Sequence, residues 1–81
     1  MRLPKINSLV ECDWTDIVGG INTRLEEINP QRCTTYGILI RVEDDHIKIA
    51  SSIYEGEGRK NPTVDATAIP LGCIDRIRRI R

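Results

Sequence analysis

Cys12, Cys33, Cys73 and His46 are the side chains of this sequence best suited to hold a metal. A structural zinc site builds its tetrahedron from close ligand pairs, because a short knuckle fixes two donors at the right separation. No two of these four residues lie within ten positions of each other. Cys12 also falls on the apolar side of an alternating segment and reads as a core thiol. Neither a metal nor a cofactor is expected. His46 follows the acidic run Glu43-Asp44-Asp45, so a carboxylate of Asp44 or Asp45 could orient its imidazole. Nucleophilic catalysis, however, needs a nucleophile, a base and an orienter together. The sequence offers no such set, so no catalytic residue is expected and an enzyme is the least favoured class. Calcium needs about six to eight oxygens at alternating loop positions. Three adjacent carboxylates fit a soluble hairpin turn better. Gly56-Glu57-Gly58 lacks a following helix and places carboxylates where a phosphate would sit.

The richest chemistry lies at the C-terminus, where Arg76-Ile77-Arg78-Arg79-Ile80-Arg81 carries four guanidinium groups. Arg grips phosphate and carboxylate through two parallel hydrogen bonds. In a symmetric oligomer this patch would repeat and could meet RNA or an acidic partner. The plainer reading is a solvated strand edge kept unpaired by its charge.

The elements that must position these groups are strands. Residues 8–15 alternate, with Val10, Cys12 and Trp14 on one face and Glu11, Asp13 and Thr15 on the other. Gly19-Gly20 breaks the pattern. A short helical turn over residues 24–28 is expected, capped by Asn22 or Thr23, with Thr23 and Glu26 in capping-box spacing and Pro30 stopping it. Residues 34–42 form the clearest strand. Tyr36, Ile38, Ile40 and Val42 share one face, with Gly37 marking a bend or bulge. Glu43-Asp44-Asp45 turns the chain into a return strand over residues 46–53. Residues 55–62 read as a flexible loop, residues 63–69 as a fourth strand, and Pro70-Leu71-Gly72-Cys73 as a tight turn. The three-residue spacing of Ile74, Ile77 and Ile80 fits a bulged fifth strand, β-branched Ile favouring strand over helix. Residues 1–7 read as a loose N-terminal arm.

The chain has 81 residues, with 12 basic and 12 acidic side chains and no formal net charge. One domain is expected, burying about 63% of its unfolded surface. Such a core is thin, and assembly would reinforce it. Neutrality argues against a general binder of nucleic acid or anionic membrane, without excluding a local basic patch. With no Phe, one Trp and two Tyr, there is little material for base-stacking platforms. The N-terminus lacks a signal-peptide run and no segment is long enough to span a bilayer. An odd number of cysteines then reads as reduced thiols in the cytoplasm.

Gly37-x-Leu39, followed by Asp44-Asp45-His46-Ile47-Lys48-Ile49 and later by Ile69-Pro70-Leu71-Gly72-Cys73-Ile74, resembles the two motifs of the Sm-like (Lsm) family. The likeness covers roughly the last 45 residues. It implies a bent five-stranded barrel and an RNA-binding ring, in which the fourth strand of one subunit pairs with the fifth of its neighbour. His46 matches the family's His and Gly72 its Gly. Lys48 stands where the family's Asn reads uracil, and Leu71 replaces the Arg before the Gly, so most of the uridine pocket is absent. The family's N-terminal helix is missing, and residues 19–31 are inserted between the first two strands instead. Segments around Val10-Glu11-Cys12-Asp13-Trp14, Gly37-Ile38-Leu39-Ile40-Arg41-Val42-Glu43-Asp44-Asp45 and Ala68-Ile69-Pro70-Leu71-Gly72-Cys73-Ile74 also resemble small phage proteins, which implies a viral or metagenomic origin.

The expectation is an all-β, five-stranded antiparallel SH3-type or Sm-like small barrel with one short helical turn. Its core is expected to hold Val10, Cys12, Trp14, Ile38, Ile40, Ile47, Ile49, Ile69 and Ile74. The resemblance implies a cyclic homo-oligomer, with His46, Lys48, Gly72, Arg76, Arg78 and Arg79 as candidate RNA-binding residues. The alternative is a protein-interaction module with no nucleic-acid role, whose partner would depend on residues 19–31.

Overall fold

The computed structural model describes residues 1–54 and 62–81. The loop expected over residues 55–62, with Gly56-Glu57-Gly58 in it, lies outside the described residues except for Pro62. The chain is all-β. Its strands are β1 (Leu9–Asp16), β2 (Gln31–Val42), β3 (His46–Ile53), β4 (Val64–Pro70) and β5 (Ile74–Arg79). They form one antiparallel sheet in the order β4-β3-β2-β1-β5. Among the described residues no ladder joins β4 to β5. The sheet is therefore open, where a closed barrel had been expected, and these two strands are its edges.

β2 is the spine. Its first half pairs with β1, Val10 lying opposite Gly37, and its second half pairs with β3, Leu39 lying opposite Ile49. The bend between the halves has a local cause. A Cβ on Gly37 would lie 2.5 Å from the Ala50 carbonyl oxygen and 2.8 Å from Ile49 Cγ2. Only glycine lets the backbones approach so closely. Just beyond, a bulge at Ile40 shifts the register between Leu39 and Arg41, which sharpens the twist.

The core holds Val10, Cys12, Leu39, Ile47, Ile49, Ile69 and Ile74, with Leu3, Trp14, Leu71, Cys73 and Ile77 packed at its margin. Six of the nine expected core residues are buried there. Trp14 is half-buried, its indole N–H donating to Thr35 Oγ1 at 2.9 Å. Ile38 and Ile40 are the correction. Both faces of β2 are apolar, and pairing of Gly37 with Val10 turns Leu39 inward, leaving Ile38 and Ile40 half-buried on the opposite face.

The other elements differ in smaller ways. The helical turn is a 3₁₀ turn, Leu25–Glu27, with no side-chain cap; Thr23 Oγ1 donates to the Ile21 carbonyl instead, so the capping box does not form. A second 3₁₀ turn, Leu71–Cys73, joins β4 to β5. β5 is bulged at Asp75, since Asp13 faces Arg76 while Trp14 faces Ile74. The extra residue reconciles the three-residue spacing of Ile74 and Ile77 with one inward face. The residues expected as a loose arm are tethered: Asn7 N–H donates to the Leu39 carbonyl at 2.7 Å and Leu3 packs on the core.

Candidate functional site

The six candidate residues fall into two groups. His46 opens β3 opposite Pro70, and the Leu71 N–H donates to the Asp45 carbonyl at 2.9 Å. This bond closes the β3–β4 corner and sets Gly72 beside the acidic turn. His46 Nδ1 lies 2.5 Å from Asp45 Oδ1. That hydrogen bond, and then the charge of the imidazole, holds the Asp45 carboxyl below its ordinary range. Lys48, two residues further along β3 and so on the same face as His46, lies opposite Arg41 and Ala68, with Nζ 3.5 Å from Glu43 Oε2. Gly72 needs no special conformation, since a Cβ there would meet nothing within 4 Å.

Arg76, Arg78 and Arg79 lie on β5, the opposite edge of the sheet. Arg76 faces Asp13 and Arg78 faces Glu11 across the β1–β5 ladder. Arg78 Nε donates to Glu11 Oε1 at 2.8 Å. The Arg78 hydrogen bond, seconded by the Tyr36 hydroxyl, lowers the Glu11 carboxyl and raises both partners in turn. Arg79 ends β5 opposite Val10, beside a cleft lined by Arg2, Leu3, Pro4, Lys5 and Ile77. The sheet therefore does not gather the six residues into one site. It makes a corner around His46 and Gly72 and a basic edge along β5, and several of its cations already face carboxylates.

Two features escaped the sequence reading. The face of β2 taken as core is a surface groove of about 640 Å³, lined by Ile6, Asn7, Ile38, Ile40 and Ile53. Its signal was present as apolar side chains on both faces of one strand, Ile38 and Ile40 on one and Leu39 on the other. The second is the Glu11–Arg78 pair, 67 residues apart in the chain, for which no local pattern exists. The insertion between β1 and β2 is also unusual for what it exposes. Ile17, Val18, Ile21 and Leu25 are 85%, 40%, 95% and 84% exposed. Among the described residues no cluster of three or more metal-ligating side chains forms, and no described helix is long and apolar enough to cross a membrane. Comparison with protein-family models, curated proteins and solved structures yields no match.

Proposed function

We propose that this chain is a subunit of a cyclic homo-oligomer of the Sm-like kind, joined from the β4 edge of one copy to the β5 edge of the next. The assembled ring would present the His46–Gly72 corner and the β5 arginines to RNA. The observation that carries the reading is the strand order, with β4 and β5 as the two free edges of an open sheet. The backbone phase supports it. The Leu71 to Asp45 bond, continued along the β3–β4 register, turns the peptide groups of Thr67 and Ile69 toward β3 and those of Ala66 and Ala68 outward. From Ala66 to Pro70 this edge carries no charge, the kind of edge that pairs unless protected. The isolated chain also exposes 6277 Å², where a compact protein of its mass would expose roughly 4,900 Å². Its radius of gyration is 14.8 Å, against about 12 Å for a compact chain of this length. An edge-paired ring would remove part of that excess.

Ala68→Pro tests the proposal, because it deletes an outward N–H without removing a β3–β4 bond. Native mass spectrometry should show a closed ring for the parent chain and none for the variant. Fluorescence anisotropy with a labelled single-stranded RNA should show affinity that falls with salt, since phosphate binding releases counterions. Identical stoichiometry for both chains would overturn the strand-edge reading.

A second reading, a protein-binding module without nucleic acid, is favoured by one observation. Arg78, Lys48 and His46, three of the five candidate cations, already lie against Glu11, Glu43 and Asp45. Salt-independent or absent RNA binding by an intact ring would select it.

A further inference from the structure

The chain is neutral, yet its charges are segregated. Residues 1–10 hold Arg2 and Lys5 and no acidic side chain, and residues 76–81 hold four Arg and no acidic side chain. Residues 11–75 hold the other six basic side chains and all 12 acidic ones. The fold brings the two basic ends together. Leu9 N–H donates to the Arg81 carbonyl at 2.9 Å, and Ile80 N–H donates to the Leu9 carbonyl at 2.7 Å, so the start of β1 and the end of β5 are zipped. The residues before β1 are held at the same end: Leu3 and Ile77 both pack at the margin of the core, and Ser8 N–H donates to the Lys5 carbonyl at 3.1 Å. Between residues 2–5 and residues 77–79 lies a cleft of about 410 Å³ whose lining includes four cations and no carboxylate. We infer that this cleft binds the sugar–phosphate backbone of a nucleic acid, RNA or DNA alike, through Arg2, Lys5 and Arg79, without selecting bases.

Three observations point to that ligand. The first is that the cations are uncommitted. Arg78 at the cleft wall is bound to Glu11 through Nε, but among the described residues Arg2, Lys5 and Arg79 enter no salt bridge. The second is exposure. All three side chains are exposed, so an ion pair with a single phosphate or with a peptide carboxylate contributes little. A nucleic acid differs, because each phosphate neutralised releases condensed counterions and the gain accumulates along the strand. The third is what the lining lacks. Beside the cations it holds only Leu3, Pro4 and Ile77, so no aromatic ring stacks on a base and no amide or hydroxyl reads a base edge. Contacts of this kind position a strand without reading its sequence.

The ligand class rests on the RNA reading above, but the cleft is complete within one chain and does not depend on the ring. The test is fluorescence anisotropy with labelled oligo(U), oligo(A) and oligo(dT), over salt from about 50 to 300 mM. The three probes should bind alike. Arg2→Gln with Lys5→Gln removes two phosphate contacts. At about 0.7 per contact on a single strand, the slope of log K against log salt should fall by about 1.4, and binding at 0.1 M salt should weaken about 25-fold. Both side chains are exposed and unpaired, so the melting temperature should hold. Arg2→Lys with Lys5→Arg keeps the charge and should bind like the parent. Arg24→Gln with Arg32→Gln removes the same charge from exposed positions outside the cleft and should leave the slope unchanged. A parent that binds with a slope indifferent to Arg2→Gln and Lys5→Gln would overturn the cleft and leave RNA to the His46–Gly72 corner. A parent that binds no probe at the lowest salt would overturn both readings. Displacement of the probe by poly-glutamate or by phosphatidylserine vesicles at equal charge concentration would overturn the assignment to nucleic acid.

Discussion

Gly37→Ala should destabilise this protein by more than its one methyl group implies. At Gly37 a Cβ would stand 2.5 Å from the Ala50 carbonyl oxygen and 2.8 Å from Ile49 Cγ2, and the first of these neighbours is backbone that cannot rotate away. β2 and β3 would have to separate at the point where the sheet bends. Overpacking of this kind costs about 1–3 kcal/mol. Removing a glycine also restricts the unfolded chain, which returns about 0.4–1 kcal/mol. The net loss is about 1–2 kcal/mol, and in a domain of this size each kcal/mol moves the melting temperature by about 4–8 °C. Thermal unfolding followed by circular dichroism, at one fixed protein concentration because association shifts the midpoint, should fall by about 5–15 °C. Gly72→Ala is the control. Nothing lies within 4 Å of a Cβ there, so the entropic term acts alone and the midpoint should hold or rise. Equal behaviour of the two variants would refute the close approach at Gly37, and with it the register that turns Leu39 inward.

The remaining predictions concern the core, the thiols and the Glu11–Arg78 ion pair. Ile69→Ala removes a fully buried side chain and should cost about 2–5 kcal/mol, a large share of what a small domain possesses, read by urea denaturation. Burial, reinforced by the negative charges of Asp13 and Asp75, pushes the Cys12 thiol up to about 11. A maleimide at pH 7.5 should therefore label Cys33 and Cys73 in the native protein and reach Cys12 only after denaturation, as peptide mass spectrometry would show; rapid native labelling of Cys12 would contradict its burial. The Glu11 carboxyl is held below its ordinary value of 4.5 by the Arg78 hydrogen bond and the Tyr36 hydroxyl. A lowered carboxyl stabilises the fold above the unfolded value and loses that contribution as pH falls through the folded one. Arg78→Gln should then lower the melting temperature at pH 7, with the gap from the parent chain closing below pH 4.5. A gap that persists at pH 3 would assign the effect to packing of the Arg78 stem.

Most of the strand pattern was legible because alternation and turn residues act locally. β3 begins and ends where its own sequence indicates, at the acidic turn and at Ile53. The bulge in β5 was readable from the spacing of Ile74 and Ile77. The inward face of β2 was not. Ile38 and Ile40 outweigh Leu39 in any count of apolar side chains, and what decides the face is the pairing of Gly37 with Val10, 27 residues away. The same limit hid the Glu11–Arg78 pair, which exists only once β5 lies beside β1. The failed capping box has a different cause, since Thr23 spends its hydroxyl on the Ile21 carbonyl rather than on a helix N-terminus.

Native mass spectrometry of the unmodified protein, over a series of concentrations, tests the central claim most directly. An open sheet with two free edges should appear as one dominant closed oligomer at micromolar concentration. A chain that stays monomeric at 50 µM would contradict the proposed ring.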